Sequence, residues 1–252
     1  MQGPSLSVAT ALTRKALRAK SLTASRGRAG SGRVGPLGRS VSLSAVDLEA
    51  IGRELRASLD AKNAARERAL PLCRQATRLS ANAIRAVHRS DEEESLRLAA
   101  EARACLDEAI GALAGHPEVQ YAGFFHDAAK EYAEARLTHA LVTGTALPSA
   151  DEIGVDPPAY LNGMGEAVGE MRRHLLDLMR SGDLERSEEI LSWMDEIYYL
   201  LISMDYPDAV TAGLRRTADA IRSIIERTRG DLTVTIIQAK LHKALEAKRV
   251  DP

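Results

Sequence analysis

Aromatic side chains make up only 4% of the 252 residues, and Ala, Leu, Arg and Glu are abundant in their place. These side chains lose little freedom in a helix, so the composition already favours helices over strands. Cysteine occurs twice, at Cys73 and Cys105, with no metal-binding or redox spacing. That excludes a zinc knuckle and a disulfide scaffold, and both residues read as small helix-packing side chains. No apolar run approaches the ~18 residues a membrane-spanning helix needs, so the expectation is a soluble, cytoplasmic protein with no membrane contact. Also missing are a Walker loop, a Gly-x-Ser-x-Gly elbow and a Gly-x-Gly-x-x-Gly turn between strand and helix. The run Gly163-Met164-Gly165 falls inside a helical pattern, where glycine lets a neighbouring backbone come close. No Glu-x-x-His occurs: His174 follows Glu170 by four and His139 follows Glu134 by five. This argues against a di-iron bundle, which builds its site on that spacing.

Acid is absent from the first 46 residues, which hold eight basic ones: Arg14, Lys15, Arg18, Lys20, Arg26, Arg28, Arg33 and Arg39. All 35 acidic residues lie beyond, so the formal net charge of −1 is an average over a basic tail and an acidic body. Residues 1–43 are rich in Ser, Gly and Arg and too poor in large apolar residues to offset the entropy of ordering. They read as a disordered tail. Three origins compete: a targeting peptide, a segment that gathers nucleic acid, or a start assigned upstream of a valine codon such as Val34 or Val41. The tail shows no clear apolar face, which favours the last two.

Residues 44–248 read as one helical domain. Leu48, Ile51, Leu55 and Leu59, then Cys73, Thr77, Ile84 and Val87, recur at helical spacing and predict one long helix over about 45–90, kinked at Pro71. Asp91 caps a second, striped by Leu98, Ala102, Leu106, Ala109 and Leu113 and broken at Gly115 and Pro117. A third runs over about 118–143. Three prolines and two glycines make 144–158 a loop. A fourth helix starts near Pro158, with Leu161, Met164, Val168, Met171, Leu175 and Leu178 as its stripe, and ends at Ser181-Gly182-Asp183. The fifth carries Ile190, Trp193, Met194, Ile197 and Leu201, and Tyr206-Pro207 breaks the chain again. The sixth, with Leu214, Ala218, Ile221 and Ile225, stops at Arg229-Gly230, leaving a seventh over about 233–247. No alternating pattern predicts a strand, so the fold class is an all-α bundle of long helices.

Chemistry is concentrated in two carboxylate pairs. Glu131 and Glu134 sit at i and i+3 on the third helix, with Asp127 one turn before them, and Glu166 and Glu170 at i and i+4 on the fourth. Like charges at these spacings repel unless a cation lies between them. If the two helices pack side by side, the four carboxylates make an all-oxygen site suited to Mg²⁺ or Mn²⁺; two ordinary solvated faces are the competing reading. Arg74, Arg78, Arg85, His88 and Arg89 lie at 3–4-residue steps on the first helix, a basic stripe that can track a phosphate backbone. Phe124, Phe125, His126 and Tyr132 offer faces for stacking unpaired bases, although such spacing more often marks core.

Glu131-Tyr132-Ala133-Glu134-Ala135 resembles the Glu-Tyr-x-Glu-Ala motif of the translin family, on the side of translin-associated factor X. Tyr160-Leu161-Asn162-Gly163, continuing to Gly169-Glu170, resembles a second stretch of that family. Gly182-Asp183, Met194 to Tyr198, Tyr206-Pro207, Leu214-Arg215-Arg216 and Glu226 to Gly230 continue the match in order over about residues 45–235. The resemblance implies a seven-helix protein that assembles into a closed hollow barrel and binds single-stranded RNA and DNA; with one chain type in view, a homo-oligomer is the simpler expectation. On the factor X side it implies a Mg²⁺-dependent endoribonuclease, with a metal-activated water hydrolysing the phosphodiester and Glu131, Glu134, Glu166 and Glu170 as catalytic metal ligands. Glu166 falls where the eukaryotic enzymes carry aspartate, a departure that keeps the charge and adds a methylene. A non-catalytic, nucleic-acid-binding oligomer and a scaffold with solvated glutamates are the alternatives that the residues leave open.

Overall fold

The computed structural model describes residues 47–120 and 122–250, so the expected tail over 1–43 lies outside the described residues. From Glu49 onward the chain makes one compact unit, and every regular element among the described residues is a helix. Six are long: α1 (Leu48–His88), α2 (Glu92–Leu113), α4 (Phe124–Thr143), α6 (Pro157–Ser181), α7 (Leu184–Ser203) and α9 (Leu214–Val250). Three are single turns: α3 (Pro117–Gln120), α5 (Ala150–Ile153) and α8 (Asp208–Thr211). No helix is long and apolar enough to cross a membrane.

The helix boundaries follow local chemistry. Asp91 Oδ1 accepts a hydrogen bond from the Glu94 amide at 3.2 Å and so caps α2, relieving one of the amides a helix start leaves unpaired. Gly182, in the left-handed region at φ 86°, ends α6, and Asp183 then caps α7 through the Arg186 amide at 3.1 Å. The expected stripes of α2, α6 and α7 are largely buried, with Leu106, Leu113, Val168, Met171, Leu175, Ile190 and Met194 fully so. Full burial of such a side chain contributes about 1.5–3 kcal/mol.

Three boundaries differ from the sequence reading. The expected third helix is divided into α3 and α4, with Gly123 at the N-cap of α4. The 144–158 loop contains the turn α5, because Ser149 and Glu152 form a reciprocal capping box. The expected sixth and seventh helices are one, and α9 runs through Gly230 without stopping. Glycine weakens a helix by about 1 kcal/mol relative to alanine, but here tertiary contacts hold both flanks. Thr228 and Leu232 are buried, and Arg172 of α6 donates to Thr228 Oγ1 and Asp231 Oδ2, each at 2.8 Å. The leading part of the α1 stripe, Leu48, Ile51, Leu55 and Leu59, is exposed.

α6 is the central helix. α4 lies closely along it, and α7 and α9 pack against it and against each other. Gly163 explains the α4 contact: a Cβ there would fall 2.7 Å from the Lys130 carbonyl oxygen and 2.9 Å from the Glu134 amide nitrogen. The buried Asn162 pins the same end of α6, donating to the Pro158 and Thr211 carbonyls at 2.9 Å and accepting from Thr217 Oγ1 at 2.7 Å. Each polar atom of that buried amide thus has a partner, which removes the cost of burying it.

Candidate metal centre and nucleic-acid interface

The close approach at Gly163 brings one turn of α4 against one turn of α6, and three of the four expected glutamates meet there. A carboxylate oxygen from each of Glu131, Glu134 and Glu166 lies within 4.8 Å of the other two. All three are half-buried. Burial is the main cause that pushes the Glu134 carboxyl up to about 8, with the charges of Glu166, Glu131 and Glu170 adding to it and Lys130 opposing. Glu131 is also raised, first by burial and then by Glu166. In both carboxyls burial and like-charged neighbours outweigh the cation beside them, Lys130. The donor set is all oxygen and half-desolvated, which fits a hard divalent cation such as Mg²⁺ or Mn²⁺.

Two basic side chains that the sequence reading did not connect with the glutamates stand beside this site. Lys130 Nζ donates to Glu166 Oε1 at 2.6 Å and lies 3.9 Å from Glu131 Oε1. Burial works against its ammonium, but the hydrogen bond and charge of Glu166, with Glu131 and Asp127, outweigh it and its pKa is raised. The second is His88. Its ring is almost fully inside, at 4% side-chain exposure, and its Nε2 lies 2.6 Å from Glu170 Oε2. Glu170 is therefore outside the three-glutamate group. The hydrogen bond from His88 is the main cause that holds its carboxyl below the usual range, followed by the opposing effect of burial and the help of the His88 and Arg173 charges.

The basic stripe divides accordingly. Arg74, Arg78 and Arg85 are exposed along α1 and Arg89 in the turn just past its end, with Arg85 also bonded to Asn82, whereas His88 faces inward and joins the end of α1 to α6. Of the aromatic candidates, Tyr132 is core at 2% exposure. Phe125 and His126 line a cleft of about 620 Å³ together with Arg103, Gln120 and Asp156. Lys130 could have been found in the sequence, since it stands four residues before Glu134 on one helix face. The 82-residue separation of His88 and Glu170 leaves no local signal.

No family profile matches the chain. An uncharacterised protein of Methanocaldococcus jannaschii is 29% identical over 190 residues, which span 75% of this chain and 84% of that protein. Among solved structures, AfC3PO superposes with a TM-score of 0.67 at 31% identity, covering 74% of this chain and 97% of its own. AfC3PO in complex with duplex RNA gives 0.66 at 31% identity, with 74% and 96% covered. Apo-NeC3PO shares the fold, with a TM-score of 0.61 at 21% identity over 75% and 97% of the two chains. An all-α architecture centred on α6, and 31% identity across nearly the whole of the AfC3PO chain, place this protein in the translin-like C3PO family.

Proposed function

We propose that the protein is an RNA-binding, divalent-cation-dependent endoribonuclease of the factor X type within this family, working as a homo-oligomer. The observation that carries the reading is the convergence of Glu131, Glu134 and Glu166 from two helices within 4.8 Å. Neither a solvated helix face nor a scaffold needs to bring three carboxylates together and bury them by half, since the repulsion costs stability. Glu131, Glu134 and Glu166 would hold the cation, and Glu170, one turn along α6 and fixed by His88, would flank it. A divalent cation there supplies charge stabilisation for a phosphodiester and lowers the pKa of a nearby water. Hydrolysis then forms one bond from the water oxygen to phosphorus and breaks one bond from phosphorus to a sugar oxygen, which leaves with a proton. The exposed arginines Arg74, Arg78, Arg85 and Arg89 would hold the strand by its phosphates, with affinity falling as salt rises. AfC3PO has a solved structure in complex with duplex RNA, so duplexes belong beside single-stranded RNA and DNA among the substrates to test.

A second reading has one observation in its favour. Glu170 is bonded to His88 and Glu166 to Lys130, as in a protein that binds RNA and uses these acids as internal ties. The deciding experiment is cleavage of short labelled RNA, single-stranded and duplex, with Mg²⁺, with a chelator, and with Glu134→Gln. Cleavage that requires the cation and disappears in the variant is the expected result. Intact RNA under all conditions, with binding retained, would establish the non-catalytic reading instead.

A further inference from the structure

Lys130 is the charged group at the glutamate cluster for which the nuclease reading has no task. Its side chain is 20% exposed, and its Nζ sits between carboxylates of two helices, 2.6 Å from Glu166 Oε1 and 3.9 Å from Glu131 Oε1. The backbone from which it extends cannot shift towards α6, because α4 and α6 already meet at the Lys130 carbonyl and Gly163. The ammonium reaches its place by its four-carbon stem, which can swing without moving either helix.

We propose that Lys130 is a displaceable counterion. In the metal-free protein it pairs with Glu166 beside Glu131, where the divalent cation would bind, and the cation expels it towards the phosphates of the bound strand. The inference rests on the metal-site reading above. One ammonium can offset one carboxylate charge of the three-glutamate cluster, and Glu134 has no ion-pair partner among the described residues. A doubly charged ion offsets more of that repulsion and is ligated by several carboxylates at once. It needs oxygens of Glu166 and Glu131, and Lys130 Nζ already lies against one oxygen of each. Once expelled, the ammonium is a compact charge on a flexible stem at a partly open site, and the nearest anion a working enzyme offers it is RNA phosphate.

The test uses the full chain. Acetylation of Lys130 by an amine-reactive reagent is followed by mass spectrometry with and without Mn²⁺ or Mg²⁺, at one pH. Mn²⁺ affinity is then measured for the wild type and Lys130→Met. Displacement requires that the cation raise Lys130 reactivity several-fold and that Lys130→Met bind Mn²⁺ several-fold more tightly. Wild-type protein that binds Mn²⁺ while Lys130 stays protected, or a variant with unchanged affinity, overturns the role of Lys130 and leaves the nuclease reading standing. Wild-type protein that takes up no Mn²⁺ overturns both.

Discussion

Glu134 sets the chemistry of the site at the scale of a single residue. Its carboxyl, ordinarily near 4.5, is pushed up to about 8, first by burial and then by three neighbouring carboxylates. A group with a raised folded pKa contributes stability below its ordinary value and loses that contribution as pH rises through the folded one. Metal-free protein is therefore expected to lose thermal stability between about pH 5 and pH 8, and Glu134→Gln to lack that part of the loss. Uptake of the proposed cation would have the complementary dependence, because a ligand must be deprotonated to bind. At neutral pH, Mn²⁺ binding should release a proton from Glu134, and affinity should rise with pH until about 8 and then level off. Calorimetry in buffers of different ionisation enthalpy measures that proton directly. Binding without proton release in the wild type would show that Glu134 is already ionised or is not a ligand.

At the scale of the helix, the contact between α4 and α6 makes the site, and Gly163 makes the contact. Glycine to alanine inside a helix ordinarily gains about 1 kcal/mol. At Gly163 the sign reverses, because the added methyl meets backbone atoms of Lys130 and Glu134 at 2.7 and 2.9 Å, and backbone cannot rotate aside. Overpacking of this kind costs about 1–3 kcal/mol. It should also part Glu131 and Glu134 from Glu166. Gly163→Ala is thus expected to lower both the denaturation midpoint and Mn²⁺ affinity, and a variant as stable and as tight-binding as the wild type would rule out the close approach. The elements legible in the sequence were those whose message is local. The α2 stripe from Leu98 to Leu113 is buried throughout, because a 3.6-residue period fixes one face whatever packs on it. The pairing of glutamates within α4 and within α6 was legible for the same reason. Tertiary partners were not. Gly230 read as a stop, but Arg172 grips α9 on both sides of it. His88 read as one more cation on an outer face, but its partner Glu170 lies on another helix.

At the scale of the whole molecule, two helices leave apolar surface facing water. Ile51, Leu55 and Leu59 on α1 are 46–63% exposed, and Val234, Ile237, Leu241 and Leu245 on α9 are 54–60% exposed. Single exposed apolar residues are ordinary, but stripes at helical spacing on two long helices mark surfaces that associate. Around the α1 stripe acids and bases balance, with Glu49, Glu54 and Asp60 against Arg53, Arg56 and Lys62, and the α9 stripe carries Lys240, Lys243 and Lys248 against Asp231 and Glu246. A second copy of the chain can cover both stripes, and the contact to test sets α1 of one protomer against α9 of another. Such a head-to-tail contact can close into a ring, in keeping with the homo-oligomer proposed above. Ile51→Glu with Leu55→Glu should lower the mass measured by light scattering, and Ile237→Glu with Leu241→Glu should lower it to the same species, because each removes one side of the same contact. The circular dichroism of either variant should remain helical, since none of these side chains belongs to the core of its own chain. If the α1 substitutions dissociate the assembly and the α9 substitutions do not, the two stripes have different partners. If neither changes the mass, assembly rests on other surfaces and the stripes serve another contact.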